Sequence, residues 1–403
     1  MPRKVYITGC GIVSPIGISA DETLSALKNR QTGTGIVQRF DTAHRNIPVC
    51  EVKYGNEELR QMLRYDDAHR LLSRTALLGL VAAGQALQAS HSQVPKCRMG
   101  LVSATTVGGM DYNEVHYRSL SAGDDNPQAV NILDCADVAQ EIAETFGITS
   151  NVTTVSTACS SSANAIIVGA RMIWNGLADK VLAGGADALT RFAINGFNTL
   201  QILSPTGCKP FDAGRNGVTL GEGAAYVMLE SPATAIPDDI LCELSGCANT
   251  GEAYHQTASS PDGEGAAMSI RQALASAELA SNDIHYINAH GTGTTVNDLS
   301  EGKAIETVFG ENIPPVSSTK GYTGHTLAAA GAVEAVISIL SIRYGLLFPN
   351  VGFEKQMPEL SFAPIKSLQA ANVRHVLSNS FGFGGSNASL IFSQTSCRHT
   401  SHP

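Results

Sequence analysis

Residues 152–176 constrain this chain most tightly, because they pass from a strand into a helix through a turn that carries one cysteine. Val152 to Val155 is a short β-branched run that reads as a strand end. Ala163, Ile166, Ile167, Ala170 and Ile173 then recur at the three-and-four spacing of a helix stopped near Gly176. The turn between them, Val155-Ser156-Thr157-Ala158-Cys159-Ser160-Ser161-Ser162, puts the Cys159 thiol at a helix N-terminus. Free N–H groups and the positive end of the helix dipole there favour thiolate, the species that attacks a carbonyl. For a thiol considered alone, a buried structural cysteine is the competing reading.

Two later segments tip the balance toward a nucleophile. In Asn288-Ala289-His290-Gly291-Thr292-Gly293-Thr294 a strand-like run ends in a small-residue loop with one histidine. In Ser318-Thr319-Lys320-Gly321-Tyr322-Thr323-Gly324-His325 another strand-end loop leads into an Ala/Gly-rich helix from about Leu327. Each histidine alone is equally an ordinary hydrogen-bonded loop residue. One cysteine, two histidines and Lys320, all placed where strands give way to loops or helices, match a site built on strand ends.

Strand-like runs at Met99–Val102, Val152–Val155, Val181–Ala183, Ala225–Leu229 and Ile284–Ile287 alternate with helix-like stretches. The longest of the latter are Leu71–Ala89, Ser160–Asn175, Glu264–Ala280 and Leu327–Tyr344. Such alternation implies an α/β fold with mainly parallel central strands. With 43% hydrophobic and 16% charged residues, 403 residues can bury a large core. No eighteen-residue uninterrupted apolar run appears and the N-terminus lacks a signal-peptide pattern, so the expectation is a cytoplasmic protein without a membrane span. Nine cysteines without a C-x-x-C pair read as reduced thiols, and nothing calls for a metal. A net charge of −9 argues against general nucleic-acid binding.

These segments, taken with others, resemble the β-ketoacyl synthase family, and specifically its elongating type that acts on acyl carrier protein thioesters. The likeness begins at Lys4-Val5-Tyr6-Ile7-Thr8-Gly9-Cys10-Gly11-Ile12-Val13-Ser14-Pro15-Ile16-Gly17. It runs through Lys209-Pro210-Phe211-Asp212, Gly221-Glu222-Gly223-Ala224 and Ala253-Tyr254-His255 to Asn379-Ser380-Phe381-Gly382-Phe383-Gly384-Gly385-Ser386-Asn387-Ala388. The resemblance implies the thiolase fold: two similar halves in a five-layer α-β-α-β-α core, here residues 1–235 and 236–395, with 396–403 as a flexible tail. It also implies an acyltransferase that joins an enzyme-bound acyl group to malonyl-acyl carrier protein with loss of carbon dioxide, using no cofactor. Cys159 is then the nucleophile, and His290 and His325 hold the malonyl thioester oxygen. Lys320 acts beside them, paired with Glu334, while Asp298 and Glu301 support the loop. The backbone N–H groups of Cys159 and Phe383 form the oxyanion hole, and the Phe383 ring is a gate.

Related chemistries leave different marks. A thiolase needs a second cysteine in the Gly-rich C-terminal motif, and Phe381–Asn387 contains none. An initiating synthase carries asparagine in place of the second histidine, whereas Gly324-His325 is intact. A carrier-binding or partner-stabilising subunit with little activity is the alternative from another class. Acidic carriers call for a basic patch on this acidic chain, for which Arg60, Arg64, Arg70 and Lys209 are candidates, with Arg74 and Arg215. In the family the acyl tunnel ends at the dimer interface, so Met110, Asp111, Tyr112, Asn113, Phe197, Gln256 and Phe381 are expected to line it. The polarity of Asp111, Tyr112, Asn113 and Gln256 points to a specialised chain, such as an aryl or polyene one, and to a homodimer or a heterodimer with a chain-length-factor-like ketosynthase.

Overall fold

A computed structural model describes residues 4–63, 70–90, 97–121 and 130–395. Arg64 and the tail 396–403 lie outside the described residues. Ten strands are hydrogen-bonded in sequence across the molecule. In chain order they are β1 (Tyr6–Val13), β2 (Met99–Ala104), β3 (Val152–Val155), β4 (Lys180–Asp187), β5 (Gly223–Glu230), β6 (Cys242–Gly251), β7 (Tyr286–Asn288), β8 (Val316–Ser317), β9 (His375–Gly382) and β10 (Ser386–Ser393). Their spatial order is β8-β7-β9-β10-β6-β1-β5-β4-β2-β3.

That order contains a duplication that inspection of the sequence does not reveal. Outward from β1 the first half runs β1-β5-β4-β2-β3, and outward from β6 the second runs β6-β10-β9-β7-β8. The senses agree pair by pair: β1 with β5 and β5 with β4 are antiparallel, while β4 with β2 and β2 with β3 are parallel. The second half repeats this as antiparallel, antiparallel, parallel, parallel. At β1 and β6 the halves pair through Tyr6 opposite Glu243 and Ile7 opposite Cys242.

Side-chain alternation along each strand produces the layers. On β5, Ala225, Val227 and Leu229 enter the central core, and Ala224, Tyr226 and Met228 enter a second core on the other face. On β10, Ala388, Leu390 and Phe392 face the centre and Ile391 faces a third core. Strands buried on both sides need helices on both sides. Arg74–Ala89 and Cys135–Phe146 cover the first half, Glu264–Ala277 and Thr295–Phe309 are on the outer side of the second, and Ser161–Trp174 and Ala330–Tyr344 fill the middle and touch both. The result is the expected α-β-α-β-α stack. Leu327–Tyr344 is apolar and long enough to cross a membrane, but 89% of it is buried here as a core segment.

Several element limits differ from the sequence expectation for local reasons. The helix expected from Leu71 starts at Arg74, because the Ser73 hydroxyl caps it by accepting the Ala76 N–H at 3.0 Å. The helix expected to reach Ala280 stops at Ala277, where Glu278 turns left-handed with φ 55°. The helix expected from Leu327 opens with a 3-10 turn and becomes α-helical at Ala330. The strand expected at Ile284–Ile287 runs Tyr286–Asn288 instead.

The glycines of the opening strand serve close packing. A Cβ at Gly11 would sit 2.0 Å from the Ala82 carbonyl oxygen, and one at Gly9 would sit 2.2 Å from that of Ala86. The helix Arg74–Ala89 therefore lies directly on the β1 backbone. Gly11→Val should lower the free energy of unfolding by about 3 kcal/mol or more in urea denaturation, since neither backbone can yield; a loss below about 1 kcal/mol would show that the helix lifts away freely.

Candidate active site

Cys159 sits between β3 and the helix Ser161–Trp174, as the sequence implies. Its predecessor Ala158 is held at φ 53°, a left-handed conformation that a residue with a side chain adopts only when its surroundings enforce it. Ser161 enforces it: its hydroxyl donates to the Ala158 carbonyl at 2.5 Å and accepts the Thr157 N–H at 2.8 Å. Cys159 is only 6% exposed. Burial pushes its thiol up to about 11, against the pull of the Lys320 charge and of the Phe383 N–H aimed at the sulfur. The helix N-terminus is where the sequence places it, but the expected resting thiolate is corrected by desolvation to a thiol.

His290 follows the end of β7. Its loop is clamped by Glu301, whose carboxylate accepts the N–H groups of His290 at 2.9 Å and Gly291 at 2.8 Å and the Asn379 amide at 3.2 Å. Burial pushes Glu301 up to about 7, and those donors hold it down. Asp298 ties the same loop to the Phe211 N–H at 2.7 Å and the Gly293 N–H at 3.1 Å. Arg215 donates to the Thr294 and Thr295 carbonyls and so braces the loop from outside.

Lys320 lies under both rings and is 1% exposed. Its ammonium pairs with Glu334, donates to the His290 carbonyl at 2.6 Å and lies 3.2 Å from His290 Nδ1. An ammonium can only donate, so Nδ1 accepts and the His290 proton is on Nε2. In His325 the Leu327 N–H donates to Nδ1 at 3.2 Å, which places that proton on Nε2 as well. His325 Nε2 is buried without a hydrogen-bond partner and lines the cavity over Cys159. Burial and the Lys320 charge hold both imidazoles well below their usual range, and the His325 ring lowers His290 further. They are neutral donors at pH 7. The rings meet edge-on at 5.3 Å and 87°, and the Cys159 sulfur and a nitrogen from each ring lie within 4.8 Å of one another. Among the described residues this is the one three-residue cluster close enough to gather a metal ion. It equally surrounds the place for a carbonyl group.

Phe383 divides the space around the sulfur. Its ring stacks on Phe197 at 5.9 Å, and two cavities meet at Cys159, Phe197 and Phe383. One, of about 110 Å³, reaches His290, His325 and Phe381. The other, of about 370 Å³, is lined by apolar groups including Val107, Phe192, Leu200 and Leu327. The positions expected to line the tunnel are therefore partly corrected. Phe197 lines the apolar cavity, and Phe381 lines the other. Asp111 accepts the Arg74 N–H at 2.7 Å and faces a separate polar cleft of about 680 Å³ with Arg39 and Glu114. Tyr112 stacks on His116 and Asn113 bonds the Gly109 carbonyl. Gln256 is exposed, with its carbonyl accepting the Gly384 N–H. Met110, Tyr112, Asn113 and Gln256 line neither cavity at Cys159.

The arginines are redistributed too. Arg74 is buried in a two-point pair with Glu222 at 2.9 and 2.7 Å, which corrects its place among surface candidates. Arg70 pairs with Glu141 and Glu144, Arg60 donates to the Arg70 carbonyl, and Lys209 meets Glu354 at 3.4 Å. Sequence reasoning missed Asp187, at the end of β4. It accepts from Thr105, Thr106 and the Ala328 N–H, and so joins the floor of the apolar cavity to the segment after His325. Its signal was an acid after Gly184-Gly185-Ala186, inside an otherwise apolar strand.

The fold agrees with the comparisons to known proteins. Residues 2–235 match the β-ketoacyl synthase N-terminal domain and residues 241–354 the β-ketoacyl synthase C-terminal domain. The chain belongs to the β-ketoacyl synthase family. It is similar to the 3-oxoacyl-[acyl-carrier-protein] synthase 2 of Staphylococcus aureus strain COL, at 34% identity over 97% of this chain and 98% of that one. Among solved structures, the ishigamide ketosynthase/chain length factor aligns with a TM-score of 0.90 and 30% identity, over 98% of this chain and 100% of the other. A ketosynthase in complex with its chain length factor from Xenorhabdus doucetiae aligns with a TM-score of 0.82 and 32% identity, over 98% of both chains.

The thiol's environment makes a direct prediction. Burial raises its pKa, so the reactive thiolate should increase about tenfold per pH unit between pH 7 and 9.5, and iodoacetamide alkylation of Cys159 should rise in step with no plateau. Lys320→Met removes a charge that favours thiolate and should slow alkylation at every pH in that window. A plateau near pH 7 would restore the dipole-stabilised thiolate.

Proposed function

We propose that this chain is an elongating β-ketoacyl-acyl carrier protein synthase, with Cys159 carrying the acyl group and His290 and His325 acting on the malonyl thioester. The observation that carries the reading is the pair of Nε2–H donors, fixed by Lys320 and the Leu327 N–H, that converge beside one nucleophilic sulfur. In the first half-reaction the sulfur attacks the carrier thioester. The thiol proton ends on the departing carrier thiol, and the attacking thiolate is a minor form drawn out by the Lys320 charge and the Phe383 N–H. The N–H groups of Cys159 and Phe383 receive the oxyanion of the tetrahedral intermediate. In the second, malonyl-acyl carrier protein loses carbon dioxide, and its thioester oxygen takes up enolate charge against the two imidazole N–H groups. The carbanion attacks the acyl-cysteine, the Cys159 sulfur leaves and regains a proton, and the product is a 3-ketoacyl chain two carbons longer.

The imidazoles serve as neutral Nε2–H donors, because burial and the Lys320 charge disfavour a second proton. Glu334 balances the Lys320 charge, while Asp298 and Glu301 hold the His290 loop. The alternative of an inactive binding subunit is disfavoured by Cys159, His290, His325 and Phe383 lining one cavity, with Lys320 bonded to His290 behind it. The two halves are proposed to be residues 1–235 and 236–395, with their active-site loops meeting at the central helices. The proposed compartment is the cytoplasm, in keeping with eight free cysteines among the described residues.

The apolar cavity supports a hydrocarbon acyl chain, whether saturated or polyene, with no polar group in its inner part. The aryl or polyene chain suggested by Asp111, Tyr112, Asn113 and Gln256 is kept as a proposal for a tunnel end at a protomer interface, beyond this cavity. Phe192 and Leu200, at 58% and 43% exposure, stand at its outer side, so a second ketosynthase protomer, identical or of chain-length-factor type, is the proposed cover. The carrier is proposed to dock near Arg60, Arg70 and Lys209, whose surface pairs with Glu141, Glu144 and Glu354 an acidic carrier can compete for.

Separating the two half-reactions tests these roles. Cys159→Ala should abolish acylation from octanoyl-acyl carrier protein and all condensation while retaining decarboxylation of malonyl-acyl carrier protein, followed by intact-protein mass and carbon dioxide release. His325→Ala should slow decarboxylation by about a hundred- to a thousandfold and leave acylation of Cys159 nearly unchanged. Equal losses in both steps would assign His325 to thiol activation instead. Both imidazoles titrate well below 6.5, whereas burial pushes Glu301 and Glu334 up to about 7, so the decarboxylation rate should fall as pH drops from 8 to 6 and these carboxylates take up protons; a rate that stays flat over that range would show that the carboxylates remain ionised.

A further inference from the structure

The nucleophile turn and the Phe383 loop come from opposite halves of the chain, yet the proposed oxyanion hole needs one N–H from each. Their backbones touch closely. A Cβ at Gly382 would fall 2.9 Å from the Thr157 carbonyl and 3.3 Å from the Cys159 nitrogen. Packing alone resists approach but does not prevent separation. A set of side-chain hydrogen bonds does that, and its hub is Asn164, in the first turn of Ser161–Trp174.

Asn164 is 7% exposed and uses both ends of its amide. Nδ2 lies 2.8 Å from Thr157 Oγ1, 3.3 Å from Ser160 Oγ and 3.3 Å from Ser386 Oγ. Oδ1 accepts from Asn249 Nδ2 at 2.8 Å, and Asn249 Nδ2 also lies 3.2 Å from Ser386 Oγ. Ser160 Oγ and Ser386 Oγ are 3.0 Å apart. Thr157 and Ser160 flank the strained Ala158-Cys159 turn, Ser386 follows Gly384 and Gly385, and Asn249 belongs to β6 of the second half. Gly384 and Gly385 have φ of 79° and 80°, so the loop carrying Phe383 is anchored at Ser386 just beyond its most flexible backbone.

We infer that Asn164 is a positioning residue that holds the Phe383 loop in register with Cys159, so that both N–H groups of the oxyanion hole point at one atom. The inference rests on the condensing-enzyme reading and adds to it a residue that touches neither substrate nor sulfur. A misplacement of about 1 Å in such a site costs on the order of a hundredfold in rate, and the loss of one donor costs a hundred- to a thousandfold. Steps that pass through a tetrahedral oxyanion depend on the register. Simple displacement at the sulfur creates no oxyanion and feels the register only through the pull of the Phe383 N–H on the thiolate.

The test compares two reactions of the same thiol in the full-length protein. Acylation of Cys159 by octanoyl-acyl carrier protein is timed by intact mass, and alkylation by iodoacetamide is timed in parallel, for wild type, Asn164→Ala, Ser386→Ala and the double variant. Asn164→Ala should acylate about ten- to a hundredfold more slowly and lose clearly less in alkylation, where only the pull of the Phe383 N–H on the thiolate is at stake. The double variant should be no slower than Asn164→Ala, because both changes cut the same link. Acylation at the wild-type rate, an equal slowing of both reactions, or additive effects in the double variant would overturn the inference. Should Asn164→Ala fail to fold, the same ratio of rates in Ser386→Ala decides the matter. A wild-type protein that takes no octanoyl group would overturn the condensing-enzyme reading itself, and the inference with it.

Discussion

The Lys320 ammonium is the interaction on which the rest of the site depends. A cation this deeply buried is tolerable only when a counter-charge and acceptors replace its water, and Glu334, the His290 carbonyl and His290 Nδ1 do so. The arrangement has three consequences at once. It sets the His290 tautomer, it keeps both imidazoles from gaining a second proton, and it lowers the cost of charge on the Cys159 sulfur. A residue that never contacts the reacting carbonyl thus decides the protonation state of the three that do.

Such a cluster needs a rigid, dry setting, and the duplicated fold supplies it. Each half presents strand ends to the centre of the molecule, where Ser161–Trp174 and Ala330–Tyr344 pack together. A Cβ at Gly331 would lie 2.8 Å from Ala163, so these helices meet backbone to backbone directly behind the nucleophile and the Glu334 segment. The first half contributes the strained turn, and the second contributes both histidines, the lysine and the Phe383 loop. Chemistry at their junction therefore requires links across it. Asp187 to the Ala328 N–H is one, and the Ser162 hydroxyl to the Ala332 N–H is another, at 2.8 and 2.9 Å.

The strain at Ala158 and the desolvation of Cys159 have a common effect. Both hold the sulfur at a fixed point at the price of a ground state that is not itself reactive. A thiol pushed up to about 11 is a poor nucleophile in isolation but a protected resting state, because a permanently exposed thiolate would be oxidised or alkylated. The substrate brings the group that accepts the proton, so reactivity is coupled to occupancy of the site.

How much of this was legible in advance follows the range of the interactions. Period-two and period-3.6 patterns are local, so the chain itself marked the strands around Val152–Val155 and Ala225–Leu229 and the helices after Cys159 and Lys320. Motif residues at strand ends were likewise readable, which is why Cys159, His290, Lys320 and His325 stood out. Contacts between distant segments left no such trace. Asp111 looked like a tunnel residue until the fold turned its carboxylate to the helix at Arg74, and Arg74 looked like a surface cation until Glu222 claimed it. Asn164 read as one polar residue on an apolar helix. The pKa of Cys159 was misjudged for the same reason: the sequence determined its place at a helix N-terminus, but only the tertiary structure decided how much water reached it, because desolvation is a property of everything packed around a group and not of its neighbours in the chain.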